Sequence, residues 1–143
     1  MKRIVLGVDG SDGSIQAARV AGRLTADLGA ELTAVHVRHV APMAWSPAPV
    51  AVASNPEETL GAIEELARKR TAQALDPLDI PWTFQVRAGD PAAELEQAAA
   101  EQRADLIVVG SQGHTVVERL LLGSVSTRLT HHAQRPVMVV PLT

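Results

Sequence analysis

"VVGSQGHTVVERLLLGSVS", residues 108–126, joins an apolar run to a set of spaced small residues. The run ends at Gly110, a second glycine follows at Gly113, and Gly123-Ser124-Val125-Ser126 closes the stretch. Glycine contributes no side-chain packing and costs backbone entropy on folding, so a spaced set of them needs a reason. Behind a buried strand, small residues let backbone N–H groups approach an anion closely, and the following helix N-terminus adds partial positive charge. Two serine hydroxyls supply further donors. The stretch predicts a strand, an anion-binding loop and a helix start, in that order.

Working outward, the same alternation recurs along the chain. Arg3 to Val8 is short, apolar and β-branched, and "DGSDGS" stops it, as expected of a buried strand. From Ser14 the spacing Ile15, Ala18, Ala21, Leu24, Leu28 predicts a helix that stops at Gly29. "ELTAVHVRHV" predicts a second strand, and the four prolines of "APMAWSPAPVAVASNP" predict a long loop. Glu57 to Leu75 reads as helix ended by "DPLDIP", and "WTFQVRA" as the third strand. Asp90-Pro91 provides an N-cap and a first-turn proline for a helix from Ala92 to about Arg103. "DLIVVG" is the fourth strand, Ser124 to His132 a helix, and "PVMVV" the fifth strand.

Strands alternating with helices imply a parallel sheet covered on both faces, and the continuously apolar strands agree. The expected fold is a single doubly wound α/β domain spanning residues 1–143. In such a sheet a ligand lies outside the carboxyl ends of the strands, where strand order reverses. Asp9-Gly10-Ser11, Val37, Gly89-Asp90 and Gly110 all fall at strand ends, so they are expected on one rim with Ser111 and the rest of the glycine loop.

Composition narrows the chemistry. A formal charge of −3 leaves no electrostatic footprint for nucleic acid. The absence of cysteine excludes thiolate catalysis and Cys-ligated metal. No apolar run approaches the ~20 residues of a membrane span, and "MKRIVLGVDGSDGS" lacks the marks of a signal peptide. A soluble cytoplasmic protein is expected. Lys2 and Lys69 are the only lysines and neither follows a glycine loop, so the chain has no Walker A motif. G-x-G-x-x-G is also absent, which speaks against a dinucleotide. Taken as a set on one rim, the small residues favour a nucleotide.

The spacing G-x2-G-x9-G-S, Gly110, Gly113, Gly123 and Ser124, resembles the ATP-binding subgroup of the universal stress protein family. The resemblance runs along nearly the whole chain through "IVLGVDGS", "LTAVHV", "AGDPAAEL", "ADLIVVGSQG", "RLLLGSVS" and "HHAQRPVMVV". It implies strand order 3-2-1-4-5, ATP at the switch point and homodimers. Carried over by position, Asp9, Gly10 and Ser11 would flank the adenosine and its phosphates. The Val37 backbone would meet adenine, and Gly89 would lie near the base. Gly110, Ser111, Gly113 and His114 would line the ribose and phosphate path, with Gly123, Ser124, Val125 and Ser126 on the phosphates. The chain departs from the family pattern at Gln112, Thr115-Val116 and Glu118, which makes this loop less positive and lets AMP or ADP compete with ATP.

Other polar residues carry two readings each. Asp9 could hold a metal such as Mg that bridges phosphates, or cap the following helix. His36, on an apolar strand, reads as a satisfied core histidine. His114 could bond phosphate or face solvent. Arg119 and Arg128 are the cationic candidates for a phosphate clamp, or they form surface ion pairs. His131-His132 suit the negative end of a helix. Trp45 reads as a lid or as a loop anchor.

The expected function is an adenine-nucleotide-binding regulatory module acting as a homodimer with an unnamed protein partner. The alternative is a slow ATPase or nucleotidyl-transfer enzyme, for which the rim offers few groups equipped as a base or clamp. The apolar, uncharged segment 136–141 would be a sheet edge and the pairing surface of the dimer.

Overall fold

The computed structural model describes residues 1–38, 56–111 and 124–142. Strands β1 (Arg3–Gly7), β2 (Glu31–Arg38), β3 (Trp82–Ala88), β4 (Leu106–Gly110) and β5 (Val137–Val140) form one parallel sheet. Their order is β3-β2-β1-β4-β5, so the chain reverses its winding between β1 and β4. Helices α1 (Asp12–Leu28), α2 (Pro56–Leu75), α3 (Pro91–Gln102) and α4 (Ser124–His132) connect the strands. The doubly wound α/β reading holds.

Side-chain alternation divides the core in two. Ile4, Leu6, Val8, Leu32, Ala34, Leu106 and Val108 pack with α1 and the end of α2. Val5, Val35, Ile107 and Val109 point the other way, onto Ala92, Leu95, Ala98 and Ala99 of α3 and Leu129 of α4. With both faces covered, a strand has no polar side to show, hence the unbroken apolar runs. Each fully buried Leu, Ile or Val contributes about 1.5–3 kcal/mol by leaving water. Edge strand β3 is only half-buried, which lets it carry the polar residues of "TFQVR".

Local chemistry sets the helix ends. The helix expected from Ser14 begins at Asp12, because Ser11 is the N-cap and its hydroxyl accepts from the Ser14 N–H at 3.2 Å. Gly29 closes α1 in the left-handed region at φ 63°. Asp90 caps α3 by accepting from the Ala93 N–H at 3.0 Å, with Pro91 in the first turn. The stripe expected on α1 is partly displaced. Ala17, Ala18, Ala21 and Thr25 are buried, whereas Leu28 is exposed. Small residues win that face because α2 approaches closely: a Cβ on Gly22 would sit 2.9 Å from Leu75 Cδ2.

Helix α2 is longer than the strands it covers. The Ala67 backbone lies against Gly10, just past the end of β1. About 16 Å of helix, from Pro56 to Ala67, therefore stands beyond the strand ends. Ile63 and Leu66 in this part of α2 are exposed among the described residues. Among the described residues no helix is long and apolar enough to cross a membrane.

Candidate functional site

The carboxyl ends of β1 and β4 are neighbours across the switch point, and the turns that leave them carry the small residues singled out above. After β1, Asp9 Oδ1 accepts from both the Ser11 N–H, at 2.9 Å, and the Ser11 hydroxyl. Asp9 thus holds the residue that caps α1. Gly10 stands at φ 82°, a left-handed conformation that favours glycine. Its carbonyl oxygen accepts from Arg70 Nη1, while Arg70 Nη2 donates to Asp12 at 2.9 Å. Spacing alone did not reveal this contact, because its partners are about sixty residues apart.

Gly110 ends β4 against the first turn of α1. A Cβ there would lie 2.7 Å from the Gly13 carbonyl oxygen and 3.3 Å from the Ser14 nitrogen. Packing by itself therefore requires glycine at 110. Ser111 donates its N–H to the Val140 carbonyl at 2.9 Å. Ser124 is exposed and Val125 half-buried, both in the first turn of α4. Ser126 is buried, with its hydroxyl turned to the Ser111 carbonyl at 3.5 Å. Gly113, His114, Arg119, Gly123 and Trp45 lie outside the described residues.

At the ends of β2 and β3 the rim is charged and paired. Val37 is half-buried beside Arg87 of β3. The Arg38 side chain pairs with Glu64 and, at 3.7 Å, with Glu57 of α2. The Arg38 carbonyl accepts from the Gly89 N–H at 3.0 Å. Gly89 stands at φ 139° with the Glu94 side chain over it, its Cγ 3.2 Å from where a Cβ would be. Arg87 binds Glu94 at 2.9 Å and Glu101 at 2.7 Å. The bond to Glu101 raises the pKa of Arg87 and lowers that of Glu101.

Two residues with alternative readings take definite partners here. Arg128 pairs with Asp90, the cap of α3, so in this structure it forms an ion pair across the rim. His36 is buried and its Nδ1 lies 3.0 Å from the Val8 carbonyl oxygen. A carbonyl only accepts, so Nδ1 carries the proton, and His36 is a satisfied core residue. Among the described residues no three His, Cys, Asp or Glu side chains are grouped to hold a metal.

The amino ends of α1, α3 and α4 all open on this one rim, because each helix follows the carboxyl end of a strand. Three positive dipole ends and several short side chains suit a small phosphorylated ligand.

Comparison with known proteins agrees with the fold. Residues 1–141 match the universal stress protein family. A universal stress protein of Methanocaldococcus jannaschii is 36% identical over 146 residues, covering 97% of this chain and 81% of the relative. One from Thermus aquaticus is 37% identical over 142 residues, covering 97% and 98%. A universal stress protein solved in complex with cAMP superposes with a TM-score of 0.68 at 27% identity, covering 99% of this chain and 98% of that one.

Proposed function

The chain belongs to the universal stress protein family, and from that premise we propose that it binds an adenine nucleotide on the rim between β1 and β4 and acts as a regulatory homodimer. The observation that carries this reading is the convergence at the switch point. Asp9-Gly10-Ser11, Gly110-Ser111 and the first turn of α4 meet where two neighbouring strands end. The relative that holds cAMP supports the ligand class.

In this reading Asp9, Gly10 and Ser11 flank the nucleoside and its phosphates, the Val37 backbone meets adenine, and Gly89 lies near the base. Ser111, Gly113 and His114 follow the ribose and phosphates, and Gly123, Ser124 and Val125 receive the terminal phosphates on the helix dipole. Gly110 lets β4 come close enough to α1 for the two turns to face one ligand. Ser126 acts from behind, by tying α4 to Ser111. ATP is the expected ligand, with AMP and ADP competing and Mg bridging the phosphates. Cytoplasmic placement fits a ligand of that class. Turnover is expected to be negligible, because the described rim residues offer no group equipped as a general base.

Mass spectrometry of the supernatant from heat-denatured, freshly purified protein tests the ligand class directly. Co-purified ATP, ADP or AMP is the expected result. Gly113→Val should block backbone approach and abolish ATP binding in calorimetry while the fold survives. Unchanged affinity in that folded variant would remove this site. Robust phosphate release that disappears with Asp9→Ala would replace the binding module with an enzyme.

A further inference from the structure

The conformation of the turn after β1 depends on a residue from another part of the chain. The peptide between Gly10 and Ser11 is held at both ends. Its carbonyl oxygen accepts from Arg70 Nη1 at 2.5 Å, and its N–H donates to Asp9 Oδ1 at 2.9 Å. The same guanidinium reaches Asp12 at 2.9 Å, in the first turn of α1. We propose that Arg70 is the positioning residue of the nucleotide-binding turn Asp9-Gly10-Ser11, and this rests on reading the rim as the nucleotide site.

The physical argument begins with Gly10. Glycine reaches φ 82° without strain, but it reaches other conformations as easily, so it permits this turn without selecting it. Selection must come from a partner that distinguishes one orientation of the Gly10–Ser11 peptide from its flipped form. Flipping would break the bond to Arg70 and the bond to Asp9 together. It would also move the carbonyl oxygen, a negative pole, to the side where the N–H now lies. Arg70 prevents this and leaves Asp9 fixed by Ser11.

A second consequence is electrostatic. The Asp12 side chain is exposed on the rim, where its charge would oppose a phosphate. Arg70 offsets that charge with the same guanidinium, whose planar fork can serve two acceptors at once. Lysine, a point charge on a flexible stem, would hold one acceptor less firmly. The placement of Arg70 follows from the length of α2: Ala67, one turn earlier, packs on Gly10, and this aims residue 70 at the Gly10 carbonyl.

The test compares Arg70→Met, which keeps the apolar stem, with Arg70→Lys and the unmodified chain. Three readouts are needed: AMP affinity by calorimetry, the thermal unfolding midpoint, and amide hydrogen exchange at Ser11 without ligand. Arg70→Met should weaken AMP binding by about tenfold or more, speed Ser11 exchange and keep a cooperative unfolding transition. Arg70→Lys should recover part of both losses. If Arg70→Met does not fold, Asp12→Asn with Arg70→Lys gives the same comparison, and affinity and Ser11 exchange should still shift together. Wild-type AMP affinity in folded Arg70→Met, or unchanged Ser11 exchange, would overturn the proposal while leaving the nucleotide site standing. An unmodified chain that binds no adenine nucleotide would overturn the site, and the positioning role with it.

Discussion

The Gly13 carbonyl oxygen lies 2.7 Å from the point that a Cβ on Gly110 would occupy. Backbone thus meets backbone where β4 ends and α1 begins, and neither side can give way as a flexible side chain would. Gly110→Ala should push α1 off the sheet at a cost of about 1–3 kcal/mol, as overpacking does. Denaturant unfolding checks this: the midpoint should fall, with the slope unchanged.

Gly61 is the opposite case. It lies within α2, and among the described residues nothing stands within 4 Å of a Cβ built there. Gly61→Ala removes backbone freedom from the unfolded chain without a clash, so it should stabilise by about 0.5–1 kcal/mol. A lower unfolding midpoint in this variant would contradict the open surroundings of Gly61.

Thr71, on the buried face of α2, is fully shielded from solvent, and among the described residues its hydroxyl has no hydrogen-bond partner. Burying an unpaired hydroxyl costs about 1–3 kcal/mol. Thr71→Val keeps the shape and removes that hydroxyl, so its thermal midpoint should equal or exceed that of the unmodified chain. A clear loss of stability would mean that the hydroxyl is bonded in solution.

Asp105 accepts from the backbone N–H groups of Lys2, at 2.8 Å, and Arg3, at 3.1 Å. These bonds hold its carboxyl below the ordinary value of 3.8. A depressed folded pKa gives stability that is present above the unfolded value and lost as pH falls through the folded one. Glu101, lowered by its bond from Arg87, acts in the same direction. Asp105→Asn should therefore be less stable than the unmodified chain at neutral pH, with the gap closing as pH drops below 3.8. Unfolding midpoints across that range decide it; a gap independent of pH would exclude the charge as the cause.

The β5 edge offers a test of the proposed dimer. The carbonyls of Pro136 and Val140 accept from Ile107 and Ser111, so these residues turn their backbone groups toward β4. Alternation along the strand then turns the N–H and C=O of Val137 and Val139 outward, to the open edge. Val139→Pro removes one outward donor without touching the β4 ladder, and proline is tolerated on an edge strand. Light scattering should report a dimer for the unmodified chain and a monomer for this variant. A monomer in both would refute pairing through residues 136–141.

The order of strands and helices was legible in the sequence because the forces behind it are local. Ser11 and Asp90 cap helices three residues ahead, Gly29 ends one, and unbroken apolar runs mark strands covered on both faces. Each of these is a relation between neighbouring letters. The small residues at the end of β4 and the start of α4 were legible for the same reason, since Gly110 and Ser124 stand at the ends of these elements. The identity of the charge partners was not legible. Arg70 with Asp12, Arg38 with Glu64 and Arg128 with Asp90 join residues 58, 26 and 38 positions apart. Any of 13 basic residues could have met any of 16 acidic ones, and only the packing of the helices on the sheet chose among them. The same packing exposed Leu28 and buried Ser126, although hydropathy favours the reverse. It also gave Gly110 a role that spacing hides: the glycine is there because the backbone of α1 occupies the place of its side chain.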